Sequence, residues 1–515
     1  MYYRVLTASL YGLSGEPTWA EVDAENGLPG FTVVGLANQS IREARERIRS
    51  AMENSGYDFP KKRITVNLTP ANKKKDGSHY DLPIAIGLLI CAGLKTPEYH
   101  KALSTGNIAC FGELTLDGRV NPVEGALPMV IGLKNSGAEC IIIPESNLKE
   151  AMLVKGVSFI PVSDLSQLAD HLCGSFEIPA VEGEGKNVTE DRADYPDFSD
   201  IKGQSVIKRA SQIAAAGMHG LLMVGPPGVG KTMIGKRIPG LLPDLTYEEQ
   251  LEVTQIYSVA GELKESMPLI TLRPFRAPHH TISAAGLIGG GPVPRPGEIS
   301  LAHGGVLFLD ELPEFSSNTL EALRQPLEDG FVNIKRVNYK IRYPSEFMLV
   351  AAMNPCRCGY YGDPEKLCTC TESDRLRYAG KVSGPLTDRI DIHVRIERPV
   401  YSDIEAVRSS EAVSTAQLRK GIDLAMERQR ERYKEEGIKY NSQLTAPLIE
   451  KYCRTDRAAG AVLKKAFNKW HLSVRSYHRL LKIARTAADL EGSEGIEERH
   501  VLEAVSYRMP DIFTR

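Results

Sequence analysis

Three groups of residues have the types and spacing to do chemistry. The first is GPPGVGKT, Gly225 to Thr232, set between an apolar run (Leu221 to Val224) and a helical pattern. Gly225, Gly228 and Gly230 let successive backbone N–H groups turn inward around phosphates, with Pro226, Pro227 and Val229 completing the turn. Lys231 then reaches the β/γ-phosphates, Thr232 ligates magnesium, and the following helix offers its positive end. This is a P-loop, and its ligands are ATP and Mg2+. The second group is the acidic pair in GGVLFLDEL, where a buried strand, Val306 to Leu309, runs into Asp310 and Glu311. Asp310 is placed to hold the magnesium and Glu311 to orient or deprotonate the attacking water. The third is AAMNPCRCGYYGDPEKLCTC, which sets Cys356, Cys358, Cys368 and Cys370 in two C-x-C pairs behind another apolar run. Nine residues separate the pairs, enough for a loop with Gly359, Gly362 and Pro364 to close a tetrahedral thiolate cage. Zn2+ suits four thiolates, and a closed four-cysteine site leaves no position for water, so the reading is structural zinc. Free or redox-active thiols and an iron–sulfur cluster are the alternatives.

Three further residues are ambiguous taken singly. Asn354 ends the run FMLVAAMN, where its amide would position water at the γ-phosphate; before Pro355 it is equally a turn former. Arg389 stands just before an alternating strand in SGPLTDRIDIHVRI, as a finger toward a neighbouring subunit's ATP or as an ion-pair partner of Asp388 or Asp391. Arg475 falls in the first turn of a helix that Ser473 caps, facing bound phosphate, and Arg479 is near enough to serve instead.

The elements that must hold these groups fall into successive regions. A chain of 515 residues exceeds one core. Residues 1–175 alternate β-type runs with helical ones and read as an α+β domain. Residues 176–199 are acidic and Pro/Gly-punctuated, the composition of a linker. Residues 200–400 alternate strands and helices in an α/β pattern around the P-loop. Residues 401–515 are helical. A net charge of −2 confines any nucleic-acid surface to a local basic patch. The opening residues, MYYRVLTASLYG, show no basic segment followed by an apolar core, and the longest apolar run, 82–94, is too short to span a bilayer. Nine cysteines without an export signal fit reduced thiols, so a cytoplasmic protein that does not enter membranes is expected.

The order P-loop, acidic pair, asparagine, arginine before a strand, arginine on a helical lid resembles the AAA+ ATPases. More narrowly, RPFRAPHHTIS, PRPGEISLAHGGVLFLDELPEF and SGPLTDRIDIHV resemble the magnesium-chelatase-like ComM/YifB family, across essentially the whole chain. The resemblance implies an AAA+ parallel-sheet core with a C-terminal helical lid. Lys231 and Thr232 match Walker A, Asp310 and Glu311 Walker B, Asn354 sensor 1, Arg389 the arginine finger and Arg475 sensor 2. It further implies a homo-hexameric ring helicase that migrates branched DNA in homologous recombination and natural transformation, with recombination proteins as partners. A magnesium-chelatase-type motor and an ATP-dependent protein remodeller without DNA activity are the competing readings.

Two N-terminal segments, NLTPANKKKDGSHYDLPIAIGLL and FGELTLDGRVNPVEGALPMVIGLKNSG, resemble the proteolytic domain of Lon. That chemistry needs a serine nucleophile and a lysine base. Asp81 falls at the serine position and Leu127 at the lysine position, so the domain is expected to be inactive. Ser78 is near but offset. For DNA, GFVNIKRVNYKIRYPS (330–345) reads as a hairpin carrying Lys335, Arg336, Lys340 and Arg342, cations that track phosphates without reading sequence or are simply solvated. Lysines 73–75 are a lesser basic patch. The insertion with Arg273, Arg276, His279 and His280 reads as a loop that moves with the nucleotide state; its paired histidines could bind metal, but no third ligand stands at helical spacing.

Overall fold

The computed structural model describes residues 1–35, 41, 43–71, 73–185, 195–264, 266–336, 339–398 and 413–508. Its first domain is built on an eight-stranded sheet. From one edge the strands are Val181–Glu182, Ser158–Val162, Cys140–Pro144, Ile108–Cys110, Tyr2–Tyr11, Ser14–Glu25, Arg63–Thr69 and Gly30–Val34. The apolar run at 82–94 forms the helix Asp81–Ala92, buried along nearly its whole length and ended by Gly93 in the left-handed region (φ 111°). A helix apolar on all sides belongs inside a domain, and this one packs on strands Tyr2–Tyr11 and Ser14–Glu25.

The stretch expected as a linker from 176 is folded at its start. Ile178 is buried and donates its N–H to His171 Nδ1 at 3.0 Å, and Val181–Glu182 adds an edge strand beside Ser158–Val162. Residues 186–194 of that expected linker lie outside the described residues.

The second domain is a five-stranded, wholly parallel sheet in the order Phe275–Arg276, Val306–Leu309, Met348–Met353, Leu221–Val224, Ile392–Arg395. Its three central strands are buried at every position, which is why they read as unbroken apolar runs. This order sets the P-loop strand beside the strand that leads to Asn354, and that strand beside the one that leads to Asp310. All three deliver their next residues to the same sheet edge, where α/β sheets bind ligands.

Helices Thr415–Arg432, Ala446–Tyr452, Arg457–Trp470, Val474–Glu491 and Glu498–Ser506 form the lid; residues 401–412, the expected start of this region, lie outside the described residues, as do 399–400 at the expected end of the core. A fully buried Asp489 ties the lid together, accepting from Arg432 at 2.9 Å and Asn441 at 2.9 Å and pairing with Arg485 at 3.0 Å. A buried carboxylate needs such partners to stay charged. The first domain docks on the second at several places. Helix Tyr247–Ala260 packs on it, with Tyr247 donating to the Leu153 carbonyl at 2.9 Å and Leu251 and Leu269 meeting the core around Leu127. The hairpin Phe331–Arg336/Tyr339–Pro344 is another contact, with Tyr339 stacked on Tyr11 at 6.2 Å, and Arg295 pairs with Glu124 at 2.5 Å.

Candidate functional site

The P-loop strand ends at Val224, and the turn that follows needs positive φ at Gly228 (82°) and Gly230 (89°) before helix Lys231–Gly235 begins. That is the reason for glycine at these positions. Lys231 is buried, and its Nζ donates to the carbonyls of Gly225 (2.6 Å) and Pro226 (2.9 Å) and to Oδ1 of Asn354 (2.9 Å). Burial lowers its pKa to about 8, against the opposing pull of Asp310 and Glu311. Thr232 Oγ1 donates to Asp310 Oδ2 at 2.6 Å, while Asp310 Oδ1 accepts the backbone N–H of Glu311 at 2.9 Å. The structure therefore brings Lys231, Thr232, Asp310 and Asn354 into one site, as two hydrogen-bonded pairs. Thr232 and Asp310 supply the hard oxygen donors that magnesium takes.

Glu311 has φ 52°, a left-handed conformation that costs a non-glycine residue of the order of 1–3 kcal/mol and clusters at functional sites. Its Oε2 lies 3.5 Å from Nδ1 of His280. Sequence alone places that histidine in a loop expected to move with the nucleotide state, or offers it as a metal ligand without a third partner; nothing in its spacing points to Glu311. The neighbouring arginines are not free to swing. Arg273 is buried and donates to the carbonyls of Pro243 and Gly304, both at 2.7 Å, and Arg276 forks onto Glu298 at 2.6 and 2.7 Å.

Arg389 and Arg475 lie together. Arg389 pairs with Oε1 of Glu328 at 2.7 Å and donates to the Pro385 carbonyl at 2.6 Å, and Arg475 pairs with the same Glu328 oxygen. Arg479 instead meets Asp391 at 3.3 Å. All border a cavity of about 510 Å3 that also takes in Lys482 and His478; among the described residues, none of the P-loop lines it. Burial, and then Arg324, lowers the pKa of Arg389; burial, then Arg479 and Arg324, lowers that of Arg475. Within one chain both arginines turn onto Glu328, in a cavity whose described lining includes no P-loop residue. Glu328, their shared acceptor, carries no sequence signal.

The four thiols converge. Cys356 Sγ lies 3.3 Å from Cys358 Sγ and 3.6 Å from Cys368 Sγ, Cys358 and Cys368 are 3.5 Å apart, and Cys370 Sγ accepts from the Cys358 N–H at 3.4 Å. All four sulfurs fall within 4.8 Å of one another. Four sulfurs about 2.3 Å from a tetrahedral ion stand about 3.8 Å apart, so this donor set fits zinc. Burial pushes Cys356 up to about 12; for Cys358 burial is outweighed by backbone N–H groups of Tyr360 and Thr369, which bring it down to about 6.

The proteolytic positions hold no proteolytic pair. Asp81 is 1% exposed and forked by Arg47 at 2.8 and 3.0 Å; burial raises its pKa to about 6 against the pull of Arg47. Leu127 is fully buried, and Ser78 donates to Glu113. On the hairpin, Val332, Ile334, Tyr339, Ile341 and Tyr343 face inward, whereas Lys335, Lys340 and Arg342 are exposed. Arg336 is exposed at the strand end, beside the turn residues 337–338 that lie outside the described ones. Lys335 and Lys340 stand directly opposite each other in the ladder, an unfavourable pairing unless an anion sits over them.

Three family models match: "Magnesium chelatase, subunit ChlI" over residues 197–404, "Subunit ChlI of Mg-chelatase" over 20–147 and "Magnesium chelatase, subunit ChlI C-terminal" over 412–508. The protein YifB of Escherichia coli is 41% identical over 508 residues, covering 98% of this chain and 97% of its own. Competence protein ComM of Haemophilus influenzae is 40% identical over 514 residues, again 98% and 97%. A Lon protease of Trichlorobacter lovleyi is 24% identical over 189 residues, 34% of this chain and 22% of its own. No helix among the described residues is long and apolar enough to cross a membrane.

Proposed function

Because this chain belongs to the magnesium-chelatase-like AAA+ family of the YifB and ComM proteins, we propose that it is an ATP-driven ring motor on DNA, a helicase that promotes branch migration in homologous recombination and natural transformation. The observation that carries the ATPase part is the meeting of Lys231, Thr232, Asp310 and Asn354 at one sheet edge. Lys231 binds the β/γ-phosphates, Thr232 and Asp310 would hold the magnesium, and Glu311 takes the proton of the attacking water that Asn354 orients. Bound magnesium supplies charge neutralisation at the β- and γ-phosphate oxygens. Arg389 and Arg475, turned away from their own P-loop, serve the ATP of a neighbouring copy, which makes a closed homo-hexamer the working form. Arginines supplied in this way are worth about a thousandfold or more in rate.

The DNA part rests on the exposed cations Lys335, Arg336, Lys340 and Arg342 and on the competence protein among its relatives. Zinc in the four-cysteine cage, a cytoplasmic location and recombination proteins as partners complete the proposal. Matches to chelatase-subunit models favour a second reading, a chelatase-type motor with another client. Steady-state ATPase with no DNA, single strands, duplex and a three-stranded junction separates them, with Glu311→Gln as background. Stimulation that is greatest on the junction is expected. Hydrolysis indifferent to every DNA overturns the helicase reading and leaves the motor with a protein or tetrapyrrole client.

A further inference from the structure

The four-cysteine knuckle is built against the phosphate cradle. Its first thiol, Cys356, stands two residues after Asn354, the acceptor for Lys231, so the strand Met348–Met353 feeds directly into the cage. Gly359 follows the first thiol pair at φ 86°, where a Cβ would lie 2.7 Å from Cδ of Pro227 in the P-loop and 3.9 Å from Cγ of Asn354. The backbone of the turn is therefore flat against both motifs. On its other side Gly362 leaves room for Arg395, whose Nη2 donates to the Tyr361 carbonyl at 3.2 Å. Arg395 pairs in register with Val224, the last strand residue before the P-loop. One turn thus touches the P-loop, the Asn354 end of one neighbouring strand and the tip of the other.

Little apolar burial holds this turn in place. Only Cys356 among the four thiols is fully buried, and Leu367, in the loop joining the pairs, is 93% exposed. A segment with no core of its own takes its order from the ion it binds. Resting on the readings that the cage takes zinc and the P-loop takes ATP, we propose that the knuckle is a strut for the phosphate cradle, so that filling the cage sets nucleotide affinity. Without the ion, Gly359 no longer backs Pro227 and Asn354 is released at the point where its strand ends. Losing one hydrogen bond to a charged group weakens binding by about tenfold.

The test titrates full-length protein with a fluorescent ADP analogue and measures zinc per chain by mass spectrometry. Cys368→Ser with Cys370→Ser removes the second thiolate pair and leaves Cys356, Cys358 and Gly359 in place. Gly359→Ala keeps all four thiols and pushes a methyl group into Pro227. The double variant is expected to lose zinc, keep its circular dichroism and bind ADP about tenfold more weakly. The alanine variant is expected to keep zinc and lose affinity to a similar extent, which holds the test open should the double variant fail to fold. A zinc-free, folded variant that binds ADP like the wild type overturns the inference, as does Gly359→Ala with unchanged affinity or a wild type that carries no zinc and binds ADP. Wild-type protein that binds ADP no better than Lys231→Ala is a different failure, that of the ATPase reading itself.

Discussion

Nucleotide affinity should fall as pH rises through 8, and Lys231 is the reason. Burial brings this ammonium from the ordinary lysine range down to about 8, with all three of its N–H donors engaged by Gly225, Pro226 and Asn354. An arriving polyphosphate places negative charge beside it and raises that pKa. The bound state therefore holds the proton more tightly than the free one, so affinity is level below the free pKa and declines above it. At pH 7 about nine chains in ten carry the charged lysine and at pH 9 about one in ten, so apparent affinity drops by about tenfold over that interval if only the charged form binds. Titration of a fluorescent ADP analogue at pH 7, 8 and 9 measures it directly. Lys231→Arg, which stays charged throughout, should bind with no slope. Wild-type affinity that is flat to pH 9, or an equal slope in the arginine variant, refutes the assignment of Lys231 as the titrating phosphate ligand.

Two further outcomes follow from the geometry. His280→Ala frees the Glu311 carboxylate from its neighbour at 3.5 Å, and kcat for ATP should fall on the order of tenfold with KM unchanged, since misplacing a reacting group by about 1 Å costs up to about a hundredfold; an altered KM with kcat intact would place His280 in binding instead. Lys335→Ala with Lys340→Ala removes two exposed cations that face each other across the hairpin, so DNA affinity should lose about two units of its salt slope while DNA-free ATPase and thermal stability hold. A drop in melting temperature would show that these lysines serve the fold.

What the sequence revealed and what it hid divide along a physical line. Leu221–Val224, Val306–Leu309 and Met348–Met353 were legible because a central parallel strand is buried on both faces and must be written as continuous apolar residues. Each leads into candidate site residues, so the P-loop, Asp310 and Glu311 could be placed from the sequence, while Asn354, equally a turn former there, gained its partner Lys231 only from the fold. The edge strand Val181–Glu182 was hidden, since two residues in an acidic stretch carry no period and its pairing comes from Phe159 and Ser158 across the sheet. Glu328 was hidden for a deeper reason. It meets Arg475 across 147 positions of chain, and no local pattern encodes a contact of that range. That contact also says most about assembly. One chain brings Lys231, Thr232, Asp310 and Asn354 together, yet turns Arg389 and Arg475 onto a carboxylate of its own in a cavity apart from the P-loop. Two arginines crowded by Arg324 and Arg479 gain from a further anion, and in the proposed ring that anion is the neighbour's γ-phosphate. On that proposal efficient hydrolysis needs two copies, and an isolated chain should hold ATP while turning it over about a thousandfold more slowly.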